Sequence, residues 1–254
     1  MIAKTIHYCW FGRGPLPPLA IKCKKSWKEF FPDYEIIEWN EDNFDVNIIR
    51  YTAEAYKAGK YAFVSDYARF WILYHYGGLY FDTDVEIIKS MDDIIERGPF
   101  MGCERYSDSS GQKGALSLGV APGLGLGVTP GLGLYKKMLD IYESLDFAYE
   151  YDKNRTIVYY MTEMLVAEGL KNTDQIQQVA GVYIYPKDYF CPINQTTRRL
   201  HITNNTRSIH HYVGSWENKR KNLKVLIQPY IPEKLLLMWH NFKNRRNGQS
   251  SNID

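Results

Sequence analysis

The sequence predicts an α/β fold, with a Rossmann-like mixed sheet flanked by helices in a single domain. Short apolar segments of strand length alternate with segments of helical period along the first third of the chain. The first two such strands are separated by enough residues to hold a crossover helix, which favours a parallel pair. The 254 residues fit one large domain with a small appendage. We place the main domain over residues 1–222 and a basic tail over 223–254.

The N-terminal elements alternate between strand and helix. Residues 5–12 predict a short buried strand that ends at Gly12, and the three prolines that follow enforce a loop. Residues 19–31 have helical spacing, and residues 34–39 are typical of a second strand. A further helix is predicted over about 48–57. This order of elements is the one that a parallel sheet requires.

The segment 61–89 is the most informative part of the chain. Ser65 or Asp66 is predicted to begin a helix as its N-cap, because short polar side chains accept from the first backbone N–H groups. The Gly77–Gly78 pair is expected to end that helix. Residues 79–88 then predict a strand that completes a strand–helix–strand unit.

The C-terminal half has weaker patterns. Two amphipathic helices are predicted over 135–145 and 156–170, a strand over 182–185, and a helix within 223–242. The Gly-rich segment 111–134 contains two copies of P-G-L-G-L. It lacks both the G-x-G-x-x-G and the Walker spacing, so a flexible wall or a strand with close backbone contacts is favoured over a phosphate-binding loop.

Composition excludes several classes of protein. Hydrophobic residues make up 45% and charged residues 24%, which is typical of a globular domain and not of disordered, collagen-like or coiled-coil chains. The net charge of +2 is too small to argue for nucleic acid, and we expect no such partner. Residues 217–254 carry a net charge of +5, and the rest of the chain carries −3.

Cysteine usage and the N-terminus predict a cytoplasmic protein. The four cysteines are far apart and form no C-x-x-C pair, so we expect reduced thiols. The N-terminus lacks the apolar stretch of a signal peptide, and no run of about 18 apolar residues predicts a membrane span. The basic tail surrounds an apolar LLLMW string. It is compatible with a helix packed on the domain, or with peripheral association with the inner face of a membrane.

Two carboxylates, Asp82 and Asp84, flank Thr83 at the end of an apolar strand. Residues i and i+2 of a strand project from one face, so these two side chains repel each other unless a cation lies between them. A hard divalent ion such as Mn²⁺ or Mg²⁺ suits such oxygen ligands. The alternative is a solvated pair on an edge strand.

Three further sets of residues offer binding chemistry. Asp66 and Arg69 are three residues apart on a predicted helix, where they form either an ordinary surface ion pair or part of a substrate site. Of the adjacent pair His210 and His211, at most one is expected to ligate an ion, because their side chains diverge. Trp10 is predicted at the carboxyl end of the first strand, where ligands bind in open α/β sheets, although a core position is equally compatible.

The strings HYCWFG, SDYARFWILYHYGGLYFDTD and HHYVGSW, in this order, resemble glycosyltransferase family 32, whose members carry a D-x-D sugar-binding region. They are also similar, more distantly, to the catalytic domains of the large clostridial glucosylating toxins. The resemblance spans roughly residues 6–216. It implies a GT-A fold, a nucleotide-sugar donor, a divalent cation (Mn²⁺ or Mg²⁺) and retention of anomeric configuration.

The resemblance also implies roles for individual residues. It gives the metal site to Asp82, Asp84 and His211; we prefer His211 to His210 because it opens an H-x-x-G string similar to that of other GT-A enzymes, although the toxin relatives carry an acidic residue there. It gives the catalytic machinery to Asp82 and Asp84 with Asp66 and Arg69. It places the acceptor side in 111–134. The donor-binding set runs from nucleobase to phosphates: Trp10, Ser65, Asp66, Arg69, Tyr80, Asp82, Ser215 and Trp216.

The function expected is therefore transfer of a hexose-type sugar from a nucleotide sugar, with a UDP-sugar favoured, to a hydroxyl group. The expected acceptor is a glycan or a lipid-linked saccharide, in synthesis of a polysaccharide of the capsule or O-antigen type. Three alternatives stay open: a metal-dependent phosphohydrolase, a non-catalytic carbohydrate-binding protein, and a glycosyltransferase with a protein acceptor.

Overall fold

The computed structural model describes residues 1–105, 118–148, 156–194 and 197–212. Within these ranges one mixed sheet has eight strands and a second sheet has two. The strands of the larger sheet are β1 (Thr5–Cys9), β2 (Glu35–Trp39), β3 (Gly78–Tyr80), β5 (Phe100–Arg105), β6 (Gly119–Val120), β7 (Leu126–Val128), β8 (Gln177–Val179) and β9 (Val182–Tyr185). The smaller sheet pairs β4 (Val85–Ile87) with β10 (Ser208–His210).

Seven helices connect these strands in the described ranges. They are α1 (Pro18–Phe30), α2 (Arg50–Lys57), α3 (Tyr61–Tyr76), α4 (Asp92–Arg97), α5 (Gly133–Glu143), α6 (Ile157–Ala167) and α7 (Lys187–Phe190). Helices α2, α3, α5 and α6 pack on one face of the large sheet, and α1, α4 and α7 pack on the other. The sheet therefore lies between two helix layers, and the predicted α/β fold class is confirmed.

The strand order of the large sheet is β2-β1-β3-β7-β5-β9-β8, with β6 beside β5. Strand β1 is parallel to both β2 and β3, with Cys9 opposite Trp39 and His7 opposite Tyr80. The predicted parallel start of the sheet is thus confirmed. Strand β7 runs antiparallel to its neighbours β3 and β5. Because β1, β2 and β3 are parallel, their carboxyl ends meet at one edge of the sheet.

Side chains alternate between the two cores, as the strand period requires. On β1, Ile6 and Tyr8 enter the core under α1, whereas Cys9 enters the core under α3. On β3, Tyr80 faces α3, and the next residue, Phe81, packs against Trp27 of α1 on the opposite side. This alternation decides which residues after β3 can face the α3 side.

Two predicted boundaries in segment 61–89 are wrong. Helix α3 begins at Tyr61, so Ser65 and Asp66 lie inside the helix and not at its N-cap. The predicted strand over 79–88 is broken, because β3 ends at Tyr80 and β4 begins at Val85 in the other sheet. The glycine ending is confirmed, since Gly77 ends α3 with a positive φ of 65° and its N–H donates to the Leu73 carbonyl.

The Gly-rich segment forms strands with close backbone contacts. Residues 118–128 are all buried, and β7 lies in the centre of the sheet. A Cβ atom on Gly127 would come 2.2 Å from the Phe100 ring, so only glycine fits there. Strand β7 is buried in the sheet, so the expected acceptor side over 111–134 does not include that strand. Residues 106–117 lie outside the described ranges.

Three further predictions concern the cysteines, membrane-spanning helices and the C-terminal tail. All four cysteines are buried free thiols. Among the described helices, none is long and apolar enough to cross a bilayer. The predicted helix within 223–242 and the tail over 223–254 lie outside the part of the chain that the structure describes.

Candidate active site at the carboxyl edge of the sheet

Several of the predicted site residues lie where β1, β2 and β3 end. Trp10 follows β1, and its backbone N–H donates to the carbonyl of Trp39, the last residue of β2, at 2.8 Å. Asp82 follows β3 by two residues. In open α/β sheets this edge is where ligands bind.

Arg69 is the centre of a buried ion network at this edge. Its Nη2 lies 2.9 Å from Oδ1 of Asp66 and 3.3 Å from Oδ1 of Asp82. The guanidinium also covers the ring of Tyr80, 4.9 Å from the centroid, and its Nε donates to the Ser65 carbonyl at 3.1 Å. Only 5% of the Arg69 side chain is exposed, so these contacts replace water. The alternative of an ordinary surface ion pair is therefore wrong.

Burial governs protonation within this network. It raises the pKa of Asp66 to about 7, although Arg69 acts in the opposite direction. Burial alone would lower the pKa of Arg69, but Asp82, Tyr80 and Asp66 outweigh it and hold the pKa above its usual value. One permanent cation thus faces two carboxyl groups. A proton or a further positive charge nearby would therefore stabilise the network.

The D-x-D motif lies in a turn and not at the end of a straight strand. The backbone N–H of Val85 donates to the Asp82 carbonyl at 3.0 Å, which closes the turn between β3 and β4. The side chain of Asp82 accepts from the Tyr80 hydroxyl at 3.1 Å. The predicted alternation of Asp82 and Asp84 on one strand face is wrong, because the chain passes from one sheet to the other between them.

Gly123 fixes the position of Asp82 from the other side. The backbone N–H of Asp82 donates to the Gly123 carbonyl at 3.1 Å. A Cβ atom on Gly123 would lie 1.9 Å from Oδ2 of Asp82 and 3.2 Å from Nη1 of Arg69. The missing side chain at position 123 therefore makes room for the carboxylate.

The small sheet brings the histidine pair to the D-x-D turn. Strand β10 pairs antiparallel with β4, so His210 is opposite Val85. Its Nε2 lies 3.1 Å from Oδ1 of Asp84. Burial alone would lower the pKa of His210, but the charge and hydrogen bond of Asp84 raise it above its usual value. The Nδ1 atom of His210 is buried and has no hydrogen-bond partner among the described residues.

His211, the preferred ligand from the sequence, has a different contact. Its Nε2 lies 2.8 Å from a carboxylate oxygen of Glu86, which also pairs with Nζ of Lys22 at 2.8 Å. Only the backbone of His211 reaches the turn, where its N–H donates to the Asp84 carbonyl at 3.0 Å. The structure thus does not assemble Asp82, Asp84 and His211 as one ligand set. The side chains of neighbouring residues in a strand point in different directions, and here the side chain of His210 is the one that contacts Asp84.

A divalent cation fits one side of the D-x-D turn better than the other. The described residues contain no preformed group of three His, Cys, Asp or Glu side chains arranged around one ion. They do supply a carboxylate at Asp84 and, 3.1 Å from its Oδ1, the Nε2 atom of the His210 imidazole. Mg²⁺-like ions are often held by one or two protein ligands and completed by water and substrate phosphates. Asp84 and His210 fit that pattern, whereas Asp82 is engaged by Arg69 and Tyr80.

Trp10 borders a separate small cavity of about 240 Å³ at the ends of β1 and β2. The indole is half-buried, and its Nε1 donates to the Gly14 carbonyl at 2.6 Å. Glu38, Asn40 and Glu41 line the same cavity. The alternative of a fully buried core tryptophan is wrong, and the position remains suitable for a planar ring.

Two predicted residues, Ser215 and Trp216, lie outside the described ranges. The Ser65 hydroxyl donates to the Tyr61 carbonyl within the same helix. The Ser65 carbonyl accepts from Nε of Arg69. Gly123 and Glu86 also belong to this site, although they were not among the residues predicted from the sequence. Glu86 continues the every-second-residue acidic pattern after the D-x-D, and Gly123 lies in the first P-G-L-G-L copy, so both left a signal in the sequence.

Comparison with known proteins gives a match over much of the part of the chain that builds this edge. Residues 17–101 match the family of the glycosyltransferase sugar-binding region containing DXD motif, which confirms the resemblance stated from the sequence. That range includes the ion network around Arg69 and the whole D-x-D turn.

Curated relatives come from yeasts. Inositol phosphoceramide mannosyltransferase 3 of Schizosaccharomyces pombe is 28% identical over 102 residues, which is 37% of this chain and 27% of the relative. Inositol phosphoceramide mannosyltransferase 1 of the same organism is 32% identical over 111 residues, 39% of this chain and 33% of the relative. The chain thus spans about a third or less of the length of these relatives.

Two solved structures align with the fold. The PaToxG glycosyltransferase aligns with a TM-score of 0.42 and 20% identity, over 55% of this chain and 59% of that chain. The galactosyltransferase LgtC, in complex with donor and acceptor sugar analogues, also gives a TM-score of 0.42, with 12% identity over 91% of this chain and 98% of that chain.

Proposed function

We propose that this protein is a metal-dependent, retaining glycosyltransferase that transfers a hexose from a nucleotide sugar to a hydroxyl group. The observation that supports this most is the position of Asp82. Arg69 and Tyr80 hold it at the carboxyl edge of the sheet, one turn from Asp84, inside the range that matches the sugar-binding family.

The names of the relatives refine the candidate donor and acceptor. Two of them are mannosyltransferases of inositol phosphoceramide, so mannose joins the candidate sugars and a lipid-linked acceptor is favoured over a protein. A UDP-sugar remains the favoured donor from the sequence, with GDP-sugars as the alternative. Assembly of a capsule or O-antigen type of polysaccharide on the cytoplasmic face of a membrane is the setting that we propose.

Different residues are proposed to bind the sugar, the nucleobase and the diphosphate of the donor. Asp66 offers a carboxylate to sugar hydroxyls, and Arg69 keeps that carboxylate and Asp82 in place. Trp10 offers an indole beside a cavity in which a nucleobase can stack. A divalent cation bound at Asp84 and His210 would neutralise the charge that develops on the departing diphosphate.

Slow donor hydrolysis tests the proposal. Purified protein is incubated with UDP- and GDP-linked glucose, galactose and mannose, with Mn²⁺ or with EDTA, and the released nucleoside diphosphate is measured. We expect metal-dependent release from one donor. Asp84→Asn should lower that turnover by about 100-fold or more, because preorganised electrostatics of this kind account for a large part of transferase catalysis. Near-normal turnover of Asp84→Asn at saturating Mn²⁺ would refute the assignment.

Asp33→Asn is the matched control for this variant. Asp33 lies before β2, at the opposite edge of the sheet, where it is exposed and pairs with Lys4 at 3.8 Å. We expect this variant to keep full turnover. The anomeric configuration of the product, read from the proton coupling of the new linkage by NMR, tests retention separately.

The alternative activities give other patterns. A phosphohydrolase would cleave simple phosphate esters without any sugar, and a panel of such esters tests that. A carbohydrate-binding protein would bind glycans without nucleotide or metal, and calorimetry with UDP, GDP and Mn²⁺ tests that. If neither nucleotide binds in the presence of Mn²⁺, the transferase proposal fails.

A further inference from the structure

Arg198 reaches the D-x-D turn from a loop that the sequence did not single out. Its Nη2 donates to the His211 carbonyl at 2.9 Å. The N–H of the same residue, His211, donates to the Asp84 carbonyl at 3.0 Å. The guanidinium is therefore connected to the backbone of the turn through a single intervening residue.

A stack of side chains holds Arg198 in this place. Its guanidinium carbon lies 5.7 Å from the centroid of the Tyr212 ring. The same ring also contacts the imidazole of His210, with the centroids 4.1 Å apart and the planes tilted by 51°, and His210 contacts Asp84. The Tyr212 hydroxyl lies 2.7 Å from Sγ of the buried Cys191, which anchors the ring to the core. The order of the stack is thus Arg198, Tyr212, His210, Asp84.

The backbone has an unusual conformation at Arg198 and at Tyr212, the first two members of this series. Arg198 has a φ of 59° and Tyr212 a φ of 51°, in the left-handed region that side chains other than glycine disfavour. The N–H of Arg198 donates to the Asn194 carbonyl at 2.7 Å, which holds the backbone of Arg198 in place. Conformations of this kind persist where surrounding contacts impose them, and they concentrate at functional sites.

The charge of Arg198 differs from that of the other cations near the turn. Arg69 faces Asp66 and Asp82, and Lys22 pairs with Glu86. In the described ranges Arg198 forms no ion pair; its contacts are a carbonyl oxygen and a ring. Burial lowers the pKa of Arg198, and the neighbouring Tyr212, Cys191 and Asp84 only partly offset this. A partly desolvated guanidinium that pairs with no carboxylate there is suited to an anion.

We propose that Arg198 binds the diphosphate of the nucleotide donor. This inference rests on the proposed function, since it names the residue that holds the leaving group beside Asp84. A guanidinium donates to two phosphate oxygens in one plane, and such charge-assisted bonds are both strong and directional. Among the described residues this guanidinium donates its hydrogen bond through Nη2, so its other N–H groups are available to phosphate oxygens there.

Binding of nucleotides with and without phosphates tests this proposal. The probes are UDP and GDP, by calorimetry in MnCl₂, and uridine and guanosine, by saturation-transfer NMR, which detects weak ligands. We expect Arg198→Gln to weaken binding of the preferred diphosphate by at least 10-fold and to leave binding of the nucleoside unchanged. Arg198→Lys should restore part of the loss. Arg199→Gln is the matched control, because Arg199 is the exposed neighbour in the chain.

The outcomes separate this inference from the proposed function. Wild-type binding to UDP or GDP, with Arg198→Gln equal to wild type, overturns the role of Arg198 alone. Equal losses for nucleoside and diphosphate also overturn it, because they indicate a structural role. Absence of wild-type binding to both diphosphates in MnCl₂ overturns the proposed function and this inference with it. Thermal melting of each variant establishes that the compared proteins are folded.

Discussion

Gly123→Ala should damage both stability and donor turnover, because the added methyl group would occupy the space of the Asp82 carboxylate. A Cβ atom at position 123 would lie 1.9 Å from Oδ2 of Asp82 and 2.9 Å from its Cγ. The backbone cannot retreat freely, since the Gly123 carbonyl accepts from the Asp82 N–H at 3.1 Å. Because ordinary contacts of a Cβ atom begin at about 3.4 Å, the carboxylate must move by more than about 1 Å, away from Arg69 and Tyr80.

The size of the effect follows from the contacts that this movement breaks. Asp82 would lose a 3.1 Å hydrogen bond from Tyr80 and a 3.3 Å ion pair with Arg69, in a buried network where charged hydrogen bonds contribute roughly 1.5–3 kcal/mol. Overpacking alone costs about 1–3 kcal/mol. We expect a loss of about 2–3 kcal/mol in the free energy of unfolding. A misplacement of about 1 Å in a reacting group can also lower turnover by about 100-fold.

Urea denaturation and donor hydrolysis measure the two effects. Gly133→Ala is the control, because a Cβ atom there meets nothing within 4 Å at the first residue of α5, and it should be neutral or slightly stabilising. In an Asp82→Ala background, Gly123→Ala should cost much less, since the clashing carboxylate is gone. Wild-type stability and turnover in the Gly123→Ala variant would refute the reasoning.

Two further predictions concern buried polar groups. Burial lowers the pKa of His7 to about 4, while the pKa in the unfolded chain is about 6.5. Between these two pH values the folded state binds fewer protons than the unfolded state. The contribution of His7 to the free energy of unfolding is therefore present above about pH 6.5 and is lost as the pH falls towards 4, by about 2–3 kcal/mol at pH 4.5. His7→Gln should remove that part of the pH dependence, and identical urea midpoint shifts between pH 7.5 and 4.5 in both proteins would contradict this. Tyr80→Phe keeps the ring under Arg69 but removes the hydroxyl that donates to Asp82. It should weaken binding of the nucleotide sugar about 3- to 10-fold, and calorimetry that finds unchanged affinity would count against this.

Local pattern is sufficient to predict the first part of the fold. The strand, helix and strand predicted over residues 5–39 agree with β1, α1 and β2 within two residues at most boundaries, because apolar period and the prolines act locally. The predicted beginning of α3 is wrong for a physical reason. The helix begins at Tyr61, and the preceding Lys60 provides no side-chain cap. Phe63 and Val64 in its first turn are buried in the core. Tertiary burial therefore overrides the capping signal of Ser65.

The site is predictable in its residue types but not in its pairings. The string LYFDTDVEI alternates like one strand, and nothing local shows that the chain turns between two sheets at Asp82. Which histidine faces Asp84 depends on the register of β10 on β4, a contact between residues 120 or more positions apart along the chain. Arg198 leaves no signal, because its position depends on the same long-range pairing. Periodicity carries no information about such contacts.

The balance of charge at the sheet edge gives a physical reason to expect that an anionic donor binds beside the D-x-D turn together with a cation. Arg69 is the nearest permanent positive charge, but it is already engaged by the carboxyl groups of Asp66 and Asp82. At an effective dielectric constant of about 20, two unit charges about 4 Å apart interact by about 4 kcal/mol, so a diphosphate that approached the carboxylates alone would be repelled. Positive charge must then come from outside the Arg69 network, on the side of Asp84. The guanidinium of Arg198 lies on that side, and a divalent ion held by Asp84 and His210 would lie there too. We therefore propose that the diphosphate, rather than the sugar, binds on that side.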